Sequence, residues 1–264
     1  AVTGVQTCAL PISSPVVWQS ESRDGGLTWG PEQVIFHVPG QWAQPAVIPS
    51  PDGRRLLMLL RENTGTRNAL YSVSDDGART WAAPRELPLA LTGHRHHARY
   101  AGGGRLVVVM RDTARDRTTG SGWISPTYGH FVAWVGTFDD IVEGGEGQYR
   151  IKPLHSHAGS DCGYSGLEVL PDGTCLATTY VKYAPGPEKH SVVCTRFKLE
   201  ETDGLLAAGI GILDAGWEAP VPALAAAKGR EDRFAAMTPA ARRAHEAELM
   251  RRPADLALEP PVLN

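Results

Sequence analysis

Three stretches of this chain share one layout, and that repetition limits the folds open to it more than any other feature. They are AQPAVIPSPDGRRLLMLLR, ending at Arg61, GHRHHARYAGGGRLVVVMR, ending at Arg111, and CGYSGLEVLPDGTCLATTYV, ending at Val181. Each reads as a strand, a Gly-containing tight turn and a second apolar strand. With Gly53, Gly103 and Gly173 as turn markers, Gln44, His94 and Tyr164 stand nine residues upstream, and Arg61, Arg111 and Val181 eight downstream. The same hairpin is written three times, with the polar residues varied at equivalent ends.

More strand follows each hairpin: NALYSVSDDGARTW after Arg61, HFVAWVGTFDD after Arg111 and HSVVCTRFKLEETD after Val181. Units of four short antiparallel strands at this spacing predict an all-β toroid, a propeller in which radial stacking buries both faces of each sheet. The apolar runs LLMLL and LVVVM have strand length, too short to span a bilayer. Scattering 26 Lys+Arg among 29 Asp+Glu, for a net charge of -3, leaves no basic stripe and argues against a nucleic-acid partner.

The N-terminal stretch VTGVQTCALPI, Val2 to Ile12, reads codon by codon as the translation of a short-read library adapter. Residues 1–13 are therefore expected to be foreign to the gene, with the true start upstream and Cys8 not native. Cys162, Cys175 and Cys194 then remain, without CxxC or Cys/His spacing, and are expected to be small hydrophobes rather than zinc ligands or a disulfide framework.

Two turns carry a family resemblance. SRDGGLTW, Ser22 to Trp29, fits S-x-D-x-G-x-T-W, the Asp box, at every defined position, and SDDGARTW, Ser74 to Trp81, fits except for Ala78 in place of Gly. Asp24 or Asp76 is expected to accept backbone N–H bonds, Gly26 to take a conformation costly for other residues, and the Trp to wedge beside the turn. The chain thus resembles the sialidase superfamily over roughly Ser14 to Asp203. This implies part of a six-bladed propeller of four-stranded antiparallel blades, and a retaining exo-glycosidase acting on a terminal acidic sugar such as sialic acid.

The resemblance also implies site residues. Arg61 lies where the family places an arginine of its carboxylate-binding triad, and Arg111 holds the same repeat position, a guanidinium matching a carboxylate bidentately. GYSGLEVLPDG resembles the stretch that carries the family's nucleophilic tyrosine, which implies Tyr164 for that role; a tyrosine suits an anionic sugar, and sialidases are the recognised exception to the two-carboxylate rule. The activating glutamate should stand at Gln44, where a neutral amide gives no general-base help. Glu62 and Glu168 are the nearby substitutes, and the general acid and first triad arginine are expected in preceding blades. Because of Gln44, a non-catalytic glycan-binding propeller is the competing reading, and a hydrolase of another sugar on the same scaffold a third. A sialidase would favour a secreted or periplasmic setting.

GHRHH and LHSH put two histidines on one strand face without a carboxylate cluster, so a polar rim is expected, with no metal and no cofactor, and His94 hydrogen-bonding a sugar. FDDIVEGGEGQYR, Phe138 to Arg150, reads as a degenerate turn of the same kind with an inserted loop. Residues 204–264 read as an extension, with a helix from Thr238-Pro239 to Arg252, either native or out of frame.

Overall fold

A run that is apolar at every position, rather than at alternate ones, must be covered on both faces. This is the role the runs take in the computed structural model, which describes residues 2–7, 16–37, 42–116, 122–187, 189–207 and 238. The first sheet contains β1 (Val2–Thr7), β2 (Val16–Ser22) and β3 (Gln33–His37) in that order. Next come β4 (Trp42–Pro49), β5 (Leu56–Glu62), β6 (Leu70–Ser74) and β7 (Arg85–Glu86), again in chain order. The third sheet is β8 (Gly93–Tyr100), β9 (Leu106–Asp112), β10 (Phe131–Gly136) and β11 (Tyr149–Leu154). The fourth is β12 (Cys162–Val169), β13 (Cys175–Val181) and β14 (Ser191–Phe197). Every pairing is antiparallel, so two sheets have the expected four strands and two have three among the described residues.

The sheets stack through their central strands. Leu106, Val108 and Met110 of β9 pack with Leu57 and Leu59 of β5, while Val107 and Val109 face Leu167, Cys175 and Ala177 of the fourth sheet. Met58 and Leu60 turn the other way, toward Val17 of β2. Val107, Val108 and Val109 are all fully buried, and burying one such side chain contributes about 1.5–3 kcal/mol. Neighbouring sheets also meet along their first strands, β1 beside β4, β4 beside β8 and β8 beside β12. β1 is drawn from the stretch expected to be foreign; it pairs with β2 from Val2↔Ser22 to Thr7↔Val17, using backbone groups that any extended sequence offers.

The turns at Asp24 and Asp76 are built alike. Asp24 Oδ1 accepts from the Thr28 N–H at 2.9 Å and from the Ser22 hydroxyl at 2.8 Å, and the Gly26 N–H donates to Ser22 Oγ at 2.7 Å. At the second turn Asp76 Oδ1 accepts from the Thr80 N–H and the Ser74 hydroxyl, both at 2.9 Å. Ala78 takes φ +68° where the first turn has Gly26 at +95°, so the missing glycine costs strain and does not change the conformation. These bonds hold the Asp24 and Asp76 carboxyls below the usual carboxylate range, the Thr side chain being the largest cause in each.

The Phe138 stretch departs from expectation. It forms α1 (Phe138–Glu143), a single short helix rather than a degenerate turn and loop. Thr137 Oγ1 accepts from the Asp140 N–H while the Asp140 carboxylate accepts from the Thr137 N–H, and Gly144 at φ +83° ends it. That reciprocal cap, T-x-x-D before an apolar pair, is a helix signal that outweighed the turn reading.

The chain divides into two compact units, residues 1–219 and 220–264. In the first, α2 (Leu199–Ala207) follows β14 and runs across the boundary expected at Asp203. In the second only Thr238 is described, so the helix expected to follow it lies outside the described residues. No described helix is long and apolar enough to cross a membrane.

Candidate functional site

The first strand of each hairpin carries a one-residue irregularity near its start. Ala43 pairs with Arg61, His94 with Arg111 and Gly163 with Tyr180; pairing then shifts and resumes at Ala46, His97 and Gly166. The residue entering each bulge has a left-handed backbone: Gln44 at φ +60°, Arg95 at +63° and Tyr164 at +52°. A bulge re-aims a side chain out of the strand's alternation. The equivalent residues are therefore Gln44, Arg95 and Tyr164, which corrects the expected trio by one position in the middle repeat. The middle turn has two successive left-handed glycines, and counting nine residues back from Gly104 rather than Gly103 gives Arg95.

These bulges bring three arginines and two tyrosines together. The Arg95 guanidinium lies 3.5 Å from the centre of the Tyr164 ring, whose centroid is 5.8 Å from that of Tyr180. The Arg61 Nη1 donates to Gln44 Oε1 at 3.2 Å. Arg111 donates through Nη1 to the carbonyls of Ser160 at 2.6 Å and Cys162 at 3.3 Å, and through Nη2 to His94 Nδ1 at 2.7 Å. Burial lowers Arg61 to about 10, and the neighbouring Arg111 and Arg95 charges push the same way; Arg111 is lowered too, first by burial.

The other expected site residues are engaged as follows. His94 uses both ring nitrogens, since Nε2 donates to the Glu62 carbonyl at 3.0 Å while Nδ1 accepts from Arg111, and neither is left for a sugar. Burial and the Arg61 and Arg111 charges hold it neutral, well below the usual histidine range. Glu168 pairs with Arg99 at 3.4 Å, both side chains facing solvent. Four residues along β12 from Tyr164, it lies about 13 Å away. The Glu62 carboxylate accepts from the N–H groups of Thr64 and Gly65, each at 2.7 Å, and so holds the loop after β5. Of the expected site residues, Gln44, Arg61, Arg111, Tyr164 and, through its bond to Arg111, His94 are brought together.

Sequence reading missed Arg95, Tyr180 and Asp161. The Tyr180 hydroxyl donates to Asp161 Oδ1 at 2.7 Å, and His190 Nε2 lies 3.2 Å from Asp161 Oδ2. Burial first, then this carboxylate, raises the Tyr180 phenol above its ordinary value. Tyr180 stands opposite Gly163 as Arg61 stands opposite Ala43, one residue before the position taken from the turn count, Val181, which is fully buried.

Elsewhere, His130, His155 and His157 stack with centroids 4.1 and 4.6 Å apart, and among the described residues no group of three or more His, Cys, Asp or Glu is placed to hold a metal. A groove lined by Gln19, Arg23, Pro31 and Arg79 lies beside the turns after β2 and β6, at the end of β5 and β6 away from Arg61. The cluster of bulge residues, not this groove, has the chemistry of a site.

Residues 9–119 match the BNR repeat-like domain family. No curated protein matches the chain. Among solved structures, a protein of unknown function from Dyadobacter fermentans is 19% identical, covering 69% of this chain and 45% of its own, with a TM-score of 0.50. The intramolecular trans-sialidase from Ruminococcus gnavus is 16% identical over 70% of this chain and 38% of its own, TM-score 0.47. The GH93 α-L-arabinofuranosidase of Fusarium graminearum is 11% identical over 74% and 58%, TM-score 0.44. The chain thus spans less than half the length of the first two. Residues 9–119 thus resemble BNR repeats, and the chain folds as successive antiparallel sheets that share their cores, the arrangement of a β-propeller.

Proposed function

We propose that the bulge cluster recognises a terminal acidic sugar, such as a sialic acid, on a glycan. The observation that supports this most is Arg61. Of its five N–H donors, Nη1 is used on Gln44, Nε is buried without a partner, and no carboxylate pairs with it among the described residues. Burial first, and then the Arg111 and Arg95 cations beside it, depress its pKa, and an incoming carboxylate would relieve the repulsion. Beside it the Tyr164 ring, 70% exposed, offers an apolar face for a sugar ring.

Retaining hydrolysis, with Tyr164 as nucleophile, is the second reading. It lacks a base in the expected place: Gln44 is an amide bound to Arg61, and Glu62 and Glu168 are engaged elsewhere. One contact favours turnover, the Tyr180–Asp161 bond, because a phenol that already donates to a carboxylate has general-base help at hand.

Calorimetric titration with methyl α-sialoside, alongside a fluorogenic sialoside assay, tests both. The expected result is binding that falls at least about tenfold in Arg61→Met and persists in Tyr164→Phe, without turnover. A wild-type protein that binds no acidic sugar would overturn the proposal. Turnover lost in Tyr164→Phe and raised in Gln44→Glu would instead establish Tyr164 as nucleophile, and turnover lost only in Tyr180→Phe would pass that role to Tyr180.

A further inference from the structure

We infer that the site takes a second, neutral sugar, a pyranose linked to the acidic one, on a row of rings formed by Tyr164, Tyr180 and His190 and flanked at its far end by the Asp161 carboxylate. The inference rests on the acidic-sugar reading and extends it from one sugar unit to two. Three neighbouring strands each supply a ring at the same end of the fourth sheet. Tyr164 enters the β12 bulge, Tyr180 lies on β13 opposite Gly163, and His190 immediately precedes β14, where Ser191 pairs with Val181 and Val192 with Tyr180. Ring centroids are 5.8 Å apart from Tyr164 to Tyr180 and 5.7 Å from Tyr180 to His190, with tilts of 39° and 55°. At that spacing and tilt no ring covers the whole face of its neighbour, and the row is longer than one pyranose.

The polar edges of the outer two rings are tied down. The Tyr180 hydroxyl donates to Asp161 Oδ1 at 2.7 Å, and His190 Nε2 lies 3.1 Å from the Asp161 carbonyl and 3.2 Å from Oδ2. Arg111 holds this segment in turn, donating to the carbonyls of Ser160 and Cys162 on either side of Asp161. What the rings present is then apolar face, the surface that the C–H face of a pyranose covers. Charge gives the row a direction. Arg95 stands at its Tyr164 end, 3.5 Å from that ring centre and 6.0 Å from the centre of Tyr180, and Arg61 is close enough to feel the Arg95 charge. Asp161 stands at the His190 end with its side chain 59% exposed. An acidic sugar is drawn toward the arginines, whereas a second anionic unit beyond it would meet the like charge of Asp161. The lone pairs of that carboxylate not taken by Tyr180 and His190 suit hydroxyl donors, so the second unit is uncharged and rich in hydroxyls, as galactose is.

The test is calorimetric titration of the full chain with methyl α-sialoside, sialyllactose, α2,8-linked disialic acid and lactose. The wild type is compared with Tyr180→Leu, His190→Ala and Asp161→Asn, each checked by circular dichroism. The readout is the ratio of sialyllactose affinity to methyl α-sialoside affinity, which a general loss of binding does not move. The expected ratio is about fivefold or more in the wild type, falling toward one in Tyr180→Leu and His190→Ala. Disialic acid should gain nothing over methyl α-sialoside in the wild type and should gain in Asp161→Asn, where the amide oxygen still accepts from Tyr180 and the charge is gone. A wild-type ratio near one overturns the inference and leaves the acidic-sugar reading standing. So does a wild-type ratio kept in both ring variants, or a wild type that binds disialic acid as tightly as sialyllactose. A wild type that binds neither sialoside overturns the acidic-sugar reading and the inference together. Should Tyr180→Leu not fold, the ratio in His190→Ala, altered at an exposed position, decides alone.

Discussion

Asp112→Ala is expected to destabilise the protein by about 3–5 kcal/mol, the cost of stranding a buried cation. Asp112 is fully buried, and its Oδ2 lies 2.8 Å from Nη2 of Arg150, which is 3% exposed. The same carboxylate accepts from the Ala114 N–H at 2.8 Å, the Thr127 hydroxyl at 2.6 Å and the Ser125 hydroxyl, fixing the chain between β9 and β10. Removing it leaves Arg150 charged and dry, with Thr127 Oγ1 at 3.3 Å as its remaining partner among the described residues. Urea unfolding monitored by fluorescence measures the loss. Replacing both partners, Asp112→Leu with Arg150→Met, should restore much of it, since an apolar pair of similar volume has no charge to solvate. A single-variant loss below about 1 kcal/mol would show that water reaches the pair.

Stability should also fall on mild acidification, by about 3 kcal/mol between pH 6.5 and 4 from His96 alone. His96 is 6% exposed, and with its Nε2 donating to the Leu91 carbonyl at 3.1 Å its Nδ1 has no partner. Burial pushes its pKa down to about 4. The unfolded chain takes up the proton near pH 6.5 and the folded one only near 4, so across that interval the unfolded state holds more protons and gains as pH falls. His94 and His130, also lowered chiefly by burial, act in the same direction. Carboxylates such as Asp172, lowered to about 2, lose their contribution only below about pH 4, so the window above that reports the histidines. Unfolding midpoints at half-unit pH steps test this, and a His96→Gln variant should have the flatter profile.

The fold was legible because both of its signals are periodic and local. Runs such as Leu106 to Met110 demand cover on two faces, and the two Ser-x-Asp turns specify their own hydrogen bonds. The site was legible only as far as the repeat register could be counted. Gln44, Arg61, Arg111 and Tyr164 were found from turn-to-residue distances, but the middle hairpin turns through Gly103 and Gly104 together, and that extra residue moved the equivalent position from His94 to Arg95. Asp161 lies outside the repeated hairpins, and nothing in its own sequence marks it as the partner of Tyr180. Roles that depend on which donors and acceptors are already occupied, as at Arg111, His94 and Glu168, were invisible to residue type alone.

The three left-handed bulges separate what a propeller of this kind must keep from what it is free to change. A non-glycine residue at φ near +60° costs about 1–2 kcal/mol. Gln44, Arg95 and Tyr164 meet this cost in the same backbone socket, yet they present an amide, a cation and a phenol. Because the flanking pairs resume register on either side, exchanging the socket residue leaves the ladders and cores of the sheets untouched. Such a scaffold can drift from one glycan chemistry to another, or between binding and turnover, by single substitutions that are nearly neutral for folding.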